Sequence, residues 1–368
     1  MSSTETTTKT IPSVASYYTL GRTGLRVSPI CLGTMTFGTE WGWGADEATA
    51  RAMFHRYLEA GGNFVDTADG YTNGRSEELV GRFMEEAGSR DRIVLATKFT
   101  FNAVPGDPNA GGNGRKNILR ALEGSLRRLR TDYIDLYWLH AWDRVTPIEE
   151  VLSTLDSLVR AGKIRHFGLS DTPAWYAARM QTMAELRGLE PVAAMQLEYS
   201  LVERLVEREH VPVAQELRMG ICVWGALAGG LLSGKYRPTK VGFSGEGRVR
   251  ATAESPNPVS HRTTERNWRI ADTLREVAGE VGRTPAEVAL RWVVSRPGVA
   301  TTILGATSLQ QLEANLGVLE FEIPGPLAAR LEEAGRPEPG SPYVFFDAFI
   351  QGAIHGGVPV AKEPRWFR

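Results

Sequence analysis

Cysteine is scarce in this chain of 368 residues: there are two, Cys31 and Cys222. Each lies in an apolar run, "PICLG" and "GICVW". That usage gives no metal-type spacing and reads as buried reduced thiols. Net charge is nearly absent too, at -1. Such balance supports neither nucleic acid nor a membrane surface as partner. No apolar run approaches the roughly eighteen residues of a membrane span. The opening "MSSTETTTKTIPSVAS" lacks the apolar core of a signal peptide and reads as a loose tail over 1–16. A soluble, cytoplasmic protein is the expectation. Two further lacks narrow the chemistry. "HAWD" (140–143) has no second histidine nearby to make a metal site, and "GGNGRK" (111–116) lacks the Walker spacing and reads as a flexible loop.

What is present is ordinary globular material, 42% apolar and 23% charged. A chain of this size buries a large core without disulfides. Its length allows two domains, but α/β barrels often run this long as one.

Short apolar runs alternate with amphipathic, helix-length segments. "YYTLGRTGLRVSPI" reads as a hairpin turning near Arg22 to Gly24. Eight strand candidates follow: "ICLGTM" (30–35), "NFVDTA" (63–68), "IVLATKF" (93–99), "YIDLYWLH" (133–140), "IRHFGLS" (164–170), "AAMQLEY" (193–199), "GICVWGAL" (220–227) and "ATTILGA" (300–306). Helix patterns separate them. "SEELVGRFMEEAG" takes Ser76 as its N-cap and stops at Gly88. The "TP" openings of "TPIEEVLSTLDSLVRAG" and "TPAWYAARMQTMAEL" put proline at a first helical position.

Strands rich in Val, Ile, Leu and Ala argue a parallel sheet buried on both faces, and eight units favour closure into a (β/α)8 TIM barrel. Such barrels place chemistry at the C-terminal ends of the strands. Asp66, Lys98, His140 and Ser170 end the second to fifth strands, with Gln196 and Trp224 in the sixth and seventh. The segments 100–116 and 228–261 are long rim loops and lid candidates. Trp41, Trp43, Phe99, Phe101 and Trp142 lie just past strand ends, where they line an apolar cleft or cap the core.

"FVDTADGY" (64–71) packs two carboxylates and a tyrosine into eight residues. Lys98 closes an apolar strand, where desolvation lowers an ammonium's pKa and the neighbouring Asp66 supports its charge. Taken alone, that pair is more often a structural ion pair than a catalytic one. Tyr71 changes the balance. A phenol ionises near roughly pH 10; an adjacent ammonium favours phenolate, lowers that pKa, and makes a general acid for a developing alkoxide. A neutral His140 beside it orients a carbonyl by donating a hydrogen bond. Asp69 reads as a turn residue before Gly70.

"FVDTADGY", "ATKF" and "YWLH", with the hairpin "LGRTGLRVSPICLGT", resemble the signature of the aldo-keto reductase superfamily. "GLSD", "MQLEYSL", "SGKY" and "LGATSLQQLEANL" resemble its cofactor segments. The likeness covers roughly 17 to 320, and the Gln311 position resembles the subgroup that includes potassium-channel β subunits. It implies a single barrel domain over 17–340, with 341–368 as a C-terminal extension. It also implies NADP(H) bound without the Rossmann glycine fingerprint, and no such fingerprint lies between a strand and a helix here. Carried over by position, the family tetrad falls on Asp66, Tyr71, Lys98 and His140, with Asp66 also near the cofactor.

The same resemblance assigns the cofactor contacts. Ser170 and Gln196 match the residues that hold the nicotinamide carboxamide. Trp224 matches the aromatic stacked on the nicotinamide ring. Gly33, Thr34 and Met35 match the first rim loop. Leu227 and Lys235 match the loop over the pyrophosphate. Gly305, Thr307, Gln311 and Asn315 match the adenosine end. The chain departs from the family at Asp171, where asparagine or arginine is usual, and at Gly225 and Ala226, which replace a frequent "SP". Gly305 and Gln311 replace basic residues, and Arg248 or Arg250 is the candidate to restore charge at the 2′-phosphate.

The function implied is reduction of an aldehyde or ketone with NADPH, with NADH as the alternative coenzyme. Its partner is a small carbonyl compound, and a homo-oligomer is open. Two alternatives stand beside it. Lys98 at a strand end suits a Schiff-base lyase, and a regulatory subunit would hold NADPH with little turnover.

Overall fold

The computed structural model describes residues 13–240 and 242–358. Eight strands form the barrel wall: β1 (Ile30–Gly33), β2 (Phe64–Asp66), β3 (Val94–Phe99), β4 (Ile134–Leu139), β5 (Ile164–Ser170), β6 (Ala194–Glu198), β7 (Gly220–Trp224) and β8 (Val299–Leu304). Each pairs in parallel with the next, and β8 closes on β1 through Thr302 opposite Ile30. The expected (β/α)8 TIM barrel is therefore present, with the N-terminal hairpin Tyr18–Thr19/Arg26–Val27.

The period of two along each strand sorts side chains between two cores. Cys31, Phe64, Val94, Ala96, Leu136, Trp138, Ala194 and Cys222 form one apolar cluster, to which Leu20 and Val27 of the hairpin region belong. The intervening residues, such as Leu95, Tyr137, Leu139 and Met195, join the larger cluster with the helices. The hairpin plugs one end of the barrel. Both cysteines are buried and reduced, as expected.

Around the wall run α1 (Glu47–Glu59), α2 (Arg75–Ala87), α3 (Arg115–Leu129), α4 (Ile148–Arg160), α5 (Ala174–Arg187), α6 (His210–Glu216), α7 (Glu265–Val281), α8 (Pro285–Val294), α9 (Leu309–Leu316) and α10 (Gly325–Gly335). No helix among the described residues is long and apolar enough to cross a membrane.

Several local expectations change. Ser76 is not an N-cap: α2 begins at Arg75 after three left-handed residues, Thr72, Asn73 and Gly74. The Thr72 hydroxyl accepts from the Ser76 N–H at 3.1 Å, and Ser76 Oγ turns inward to donate to the Thr34 carbonyl at 2.8 Å. Pro147 and Pro173 occupy the N-cap, one residue before the first helical position, with extended ψ values of 138° and 147°. Helix α8 was not foreseen, although Thr284 and Glu287 form a reciprocal capping box around Pro285.

The rim loops are tied down. Asn113, in the loop expected to be flexible, is buried. It accepts from Thr100 Oγ1 at 2.7 Å and donates through its backbone to Asp143 at 2.8 Å. In the segment 228–261, Tyr236 and Val249 are buried and joined by a bond of 3.2 Å from the Val249 N–H to the phenol. Residues 1–12 of the expected tail lie outside the described residues, and Val14 just beyond them is buried. Of the C-terminal extension, 359–368 lie outside them as well. Its described part is held by Tyr343, which hydrogen-bonds Glu209 and lies under the Arg208 guanidinium.

Candidate active site

Alternation carries the candidate side chains into the barrel mouth. Asp66 follows Phe64 by two residues, Lys98 follows Ala96, and Gln196 follows Ala194. In each pair the earlier residue faces the barrel interior. The registers set Asp66 opposite Ala96 and Ser170 opposite Gln196. The site therefore stands directly on the apolar plug, with Trp138 in its floor. Gly168 makes room for that indole, since a Cβ there would lie 2.3 Å from the Trp138 ring.

Lys98 is fully buried. Its ammonium donates to Asp66, to the Thr67 carbonyl at 2.7 Å and to the Tyr71 hydroxyl at 3.1 Å. Gln196 Nε2 donates to the other oxygen of Asp66 at 3.0 Å. Burial acts to lower the Lys98 pKa, but Asp66 and Tyr71 outweigh it and hold the ammonium above its ordinary range. The support expected from Asp66 thus prevails over desolvation. Tyr71 moves opposite to expectation: burial raises its pKa, and the opposing pull of Lys98 is too small to reverse this. The free protein presents a neutral phenol hydrogen-bonded to a fixed cation.

His140 lies beside Tyr71, with ring centroids 5.9 Å apart. Burial, then the Lys98 charge, pushes its pKa well below the ordinary value, so the ring is neutral at physiological pH. Its Nδ1 is buried with no hydrogen-bond partner. An aromatic arc continues outward through contacts of Tyr71 with Trp41, Trp41 with Trp43, and His140 with Phe101 at 4.8 Å. Phe99 is absent from this arc: it points outward from β3 and stacks on Tyr137 at 4.9 Å. Trp142 packs on Trp175 at 5.4 Å, a rim aromatic that sequence reading passed over although it stands in the quoted "TPAW".

Asp69 is more than a turn residue. One carboxyl oxygen is buried and unpaired. Burial and the neighbouring Glu77 push its pKa up to about 7.

The remaining candidates continue around the same rim, at the ends of β5 to β8 and of β1. Trp224 Nε1 donates to Asp171 Oδ1 at 3.2 Å, and Ser170 Oγ lies 3.4 Å from the other oxygen. Asp171 opens to the cleft yet has protein on most sides, and this enclosure pushes its carboxyl up to about 7. Thr34 donates both its hydroxyl, at 3.0 Å, and its backbone N–H, at 2.9 Å, to the Asp66 carbonyl, and its own carbonyl accepts from the Phe37 N–H at 2.9 Å. Met35 is half-buried beside it. Gly33 abuts Ile303 of β8.

A bare-backbone cradle follows β7. Gly225, Gly229 and Gly230 all have positive φ, and nothing lies within 4 Å of a Cβ built at Gly229. Leu227 precedes that turn, and Lys235 beyond it is exposed, with its ammonium over the Tyr236 ring. Gly305 and Thr307 lie exposed at the end of β8. Gln311 folds back to accept from the Thr307 N–H at 2.9 Å, and Asn315 is buried. Arg248 lies 5.3 Å over the Trp43 ring and senses the Tyr71 phenol, which puts it beside the aromatic arc. These residues fit a dinucleotide: an indole and a carboxamide-sized polar pair near Tyr71, bare glycine backbone beyond, and a helix N-terminus at Ser308.

A closed barrel with a buried lysine–aspartate–tyrosine cluster at its mouth hosts many chemistries, and comparison with known proteins gives the class. The model of the aldo/keto reductase family matches residues 29–336, and the chain belongs to that family. It is 33% identical over 344 residues to norsolorinic acid reductase of Aspergillus flavus, covering 91% of this chain and 85% of that protein. It is 36% identical over 317 residues to the uncharacterized oxidoreductase YrpG of Bacillus subtilis, covering 83% and 92% respectively. It is 32% identical over 336 residues to an NADP(+) aryl-alcohol dehydrogenase of Phanerodontia chrysosporium, covering 88% and 86%.

Proposed function

We propose that this chain reduces an aryl aldehyde or ketone to the alcohol with NADPH, using Asp66, Tyr71, Lys98 and His140. The observation that carries the reading is the bond of 3.1 Å between the Lys98 ammonium and the Tyr71 hydroxyl, buried beside a neutral His140. When bound, the reduced nicotinamide supplies hydride to the carbonyl carbon. Tyr71 donates its proton to the carbonyl oxygen as negative charge develops there. Lys98 stabilises the phenolate left behind, and Asp66 holds Lys98 in place. His140 donates a hydrogen bond that orients the oxygen. The neutral phenol of the free protein is the right starting state for an acid, and its raised pKa does not impede transfer to a far more basic alkoxide.

The arc of Trp41, Trp43 and Phe101 beside Tyr71 and His140 favours a flat aromatic substrate. The aryl-alcohol named in the Phanerodontia relative points the same way. NADPH is preferred to NADH on the NADP(+) in that relative's name, with exposed Lys235 as the cation of the cradle. A Schiff base on Lys98 is disfavoured, since its ammonium is buried, triply hydrogen-bonded and held above its ordinary pKa.

The test is Tyr71→Phe. It should lower kcat for an aryl aldehyde by about 10²- to 10⁴-fold while the NADPH dissociation constant stays put. A variant that turned over at the parent's rate would remove Tyr71 from the mechanism.

A further inference from the structure

We propose that Asp171 biases the coenzyme site toward the oxidised nicotinamide, its carboxylate being anchored on the indole N–H of Trp224. The inference rests on the coenzyme reading above and deepens it.

Asp171 follows the last residue of β5 with a φ of 44°, a left-handed conformation unusual for a residue with a side chain. Its backbone N–H donates to the Gln196 carbonyl at 3.2 Å. The strained turn and that bond fix the carboxyl at the mouth, where Oδ1 accepts from Trp224. Its charge also reaches across the cleft, where it disfavours phenolate at Tyr71 and is itself attracted by Lys98. Asp171 therefore stands beside the indole expected beneath the nicotinamide, with its charge felt at the proton donor.

The surrounding charges are largely matched. Lys98 of β3 pairs with Asp66 of β2, and Glu198 of β6 pairs with Arg262 beyond the long loop. Arg248 faces Tyr71, Glu198 and Arg262. His140 is neutral. Asp171 has no ion-pair partner among the described residues, so its carboxylate is the unmatched anion beside Trp224. The oxidised nicotinamide ring carries a positive charge and the reduced ring carries none. A fixed anion against the ring stabilises the former, less than in a dry interior because Asp171 opens to the cleft. Protonating Asp171 abolishes the bias. Since its carboxyl titrates at about 7, the bias grows as pH rises through neutrality.

Dissociation constants of NADP+ and NADPH, read by fluorescence at about pH 6 and about pH 8, test this with the parent and Asp171→Asn. The asparagine keeps an acceptor for the Trp224 indole and removes the charge. The parent's preference for NADP+ over NADPH should be on the order of fivefold greater at the higher pH than that of the variant, and the two should converge at the lower pH. In the coenzyme-free protein, the Trp224 indole 15N–H resonance, assigned by its loss in Trp224→Phe, should titrate near neutrality and stop doing so in Asp171→Asn. An identical ratio of constants in both proteins at both pH values overturns the inference alone. Failure of the parent to bind either coenzyme form overturns the coenzyme reading together with it.

Discussion

Thr97 and Lys98 are consecutive in β3 and serve opposite faces of the barrel wall. Lys98 points into the mouth and gathers Asp66 and Tyr71. Thr97 points outward and donates at 2.5 Å to Glu77 of α2, which is fully buried and paired with Arg128 at 2.6 Å. One dipeptide thus holds the site and fastens the helix layer behind it.

Removing the outer contact should damage stability and spare the chemistry. Glu77→Ala strands the buried Thr97 hydroxyl and unpairs the half-exposed Arg128, and should cost about 1 to 3 kcal/mol. Chemical denaturation would show this. The coenzyme dissociation constant of the folded fraction should remain that of the parent.

The inner contact behaves as a unit. Lys98→Met alone strands the buried Asp66 carboxylate and should destabilise by about 3 to 5 kcal/mol. Adding Asp66→Asn should return part of that loss, because it removes the unpaired charge. Additive losses in the double-mutant cycle would show that the two groups do not act as a pair.

The floor beneath the tetrad leaves no space. At Gly168 a Cβ would meet the Trp138 ring at 2.3 Å and the Ala194 carbonyl at 2.8 Å. Gly168→Ala should therefore destabilise by about 1 to 3 kcal/mol through overpacking. It should also lower kcat, since Trp138 stands opposite Lys98 in the barrel register.

Asp69 gives stability a pH dependence of definite sign. Its folded pKa, about 7, lies above that of an exposed aspartate. Its contribution is complete in acid and is lost as pH rises from about 4 to 7. Asp69→Asn should therefore melt higher than the parent at pH 8 by a margin that shrinks toward pH 4. A margin constant across that range would sever Asp69 from the effect.

Much of this was legible in the chain. The placing of Asp66, Lys98, His140 and Ser170 at the ends of strand candidates located the mouth, because a (β/α)8 barrel gathers its chemistry at the C-terminal ends of its strands. Period-two alternation excludes Phe99 from the cleft, since it neighbours the inward Lys98 and must face the helices. Other features depended on tertiary balance. The pKa direction of Tyr71 follows from how fully it is buried, and that of Lys98 from partners that outweigh its burial, a balance that adjacency in sequence does not disclose. Ser76 has the chemistry of a cap, but Thr34 and Thr67 present better partners from neighbouring strands.

The closing seam between β8 and β1 governs the order in which a ribosome can deliver a working molecule. All four tetrad residues emerge within the first 140 positions, yet β1 keeps a bare edge until residues 302–304 arrive to pair with it. A nascent chain halted before that point carries every reactive group on an open sheet with two sticky borders. Such a truncation product should aggregate and show no partial activity.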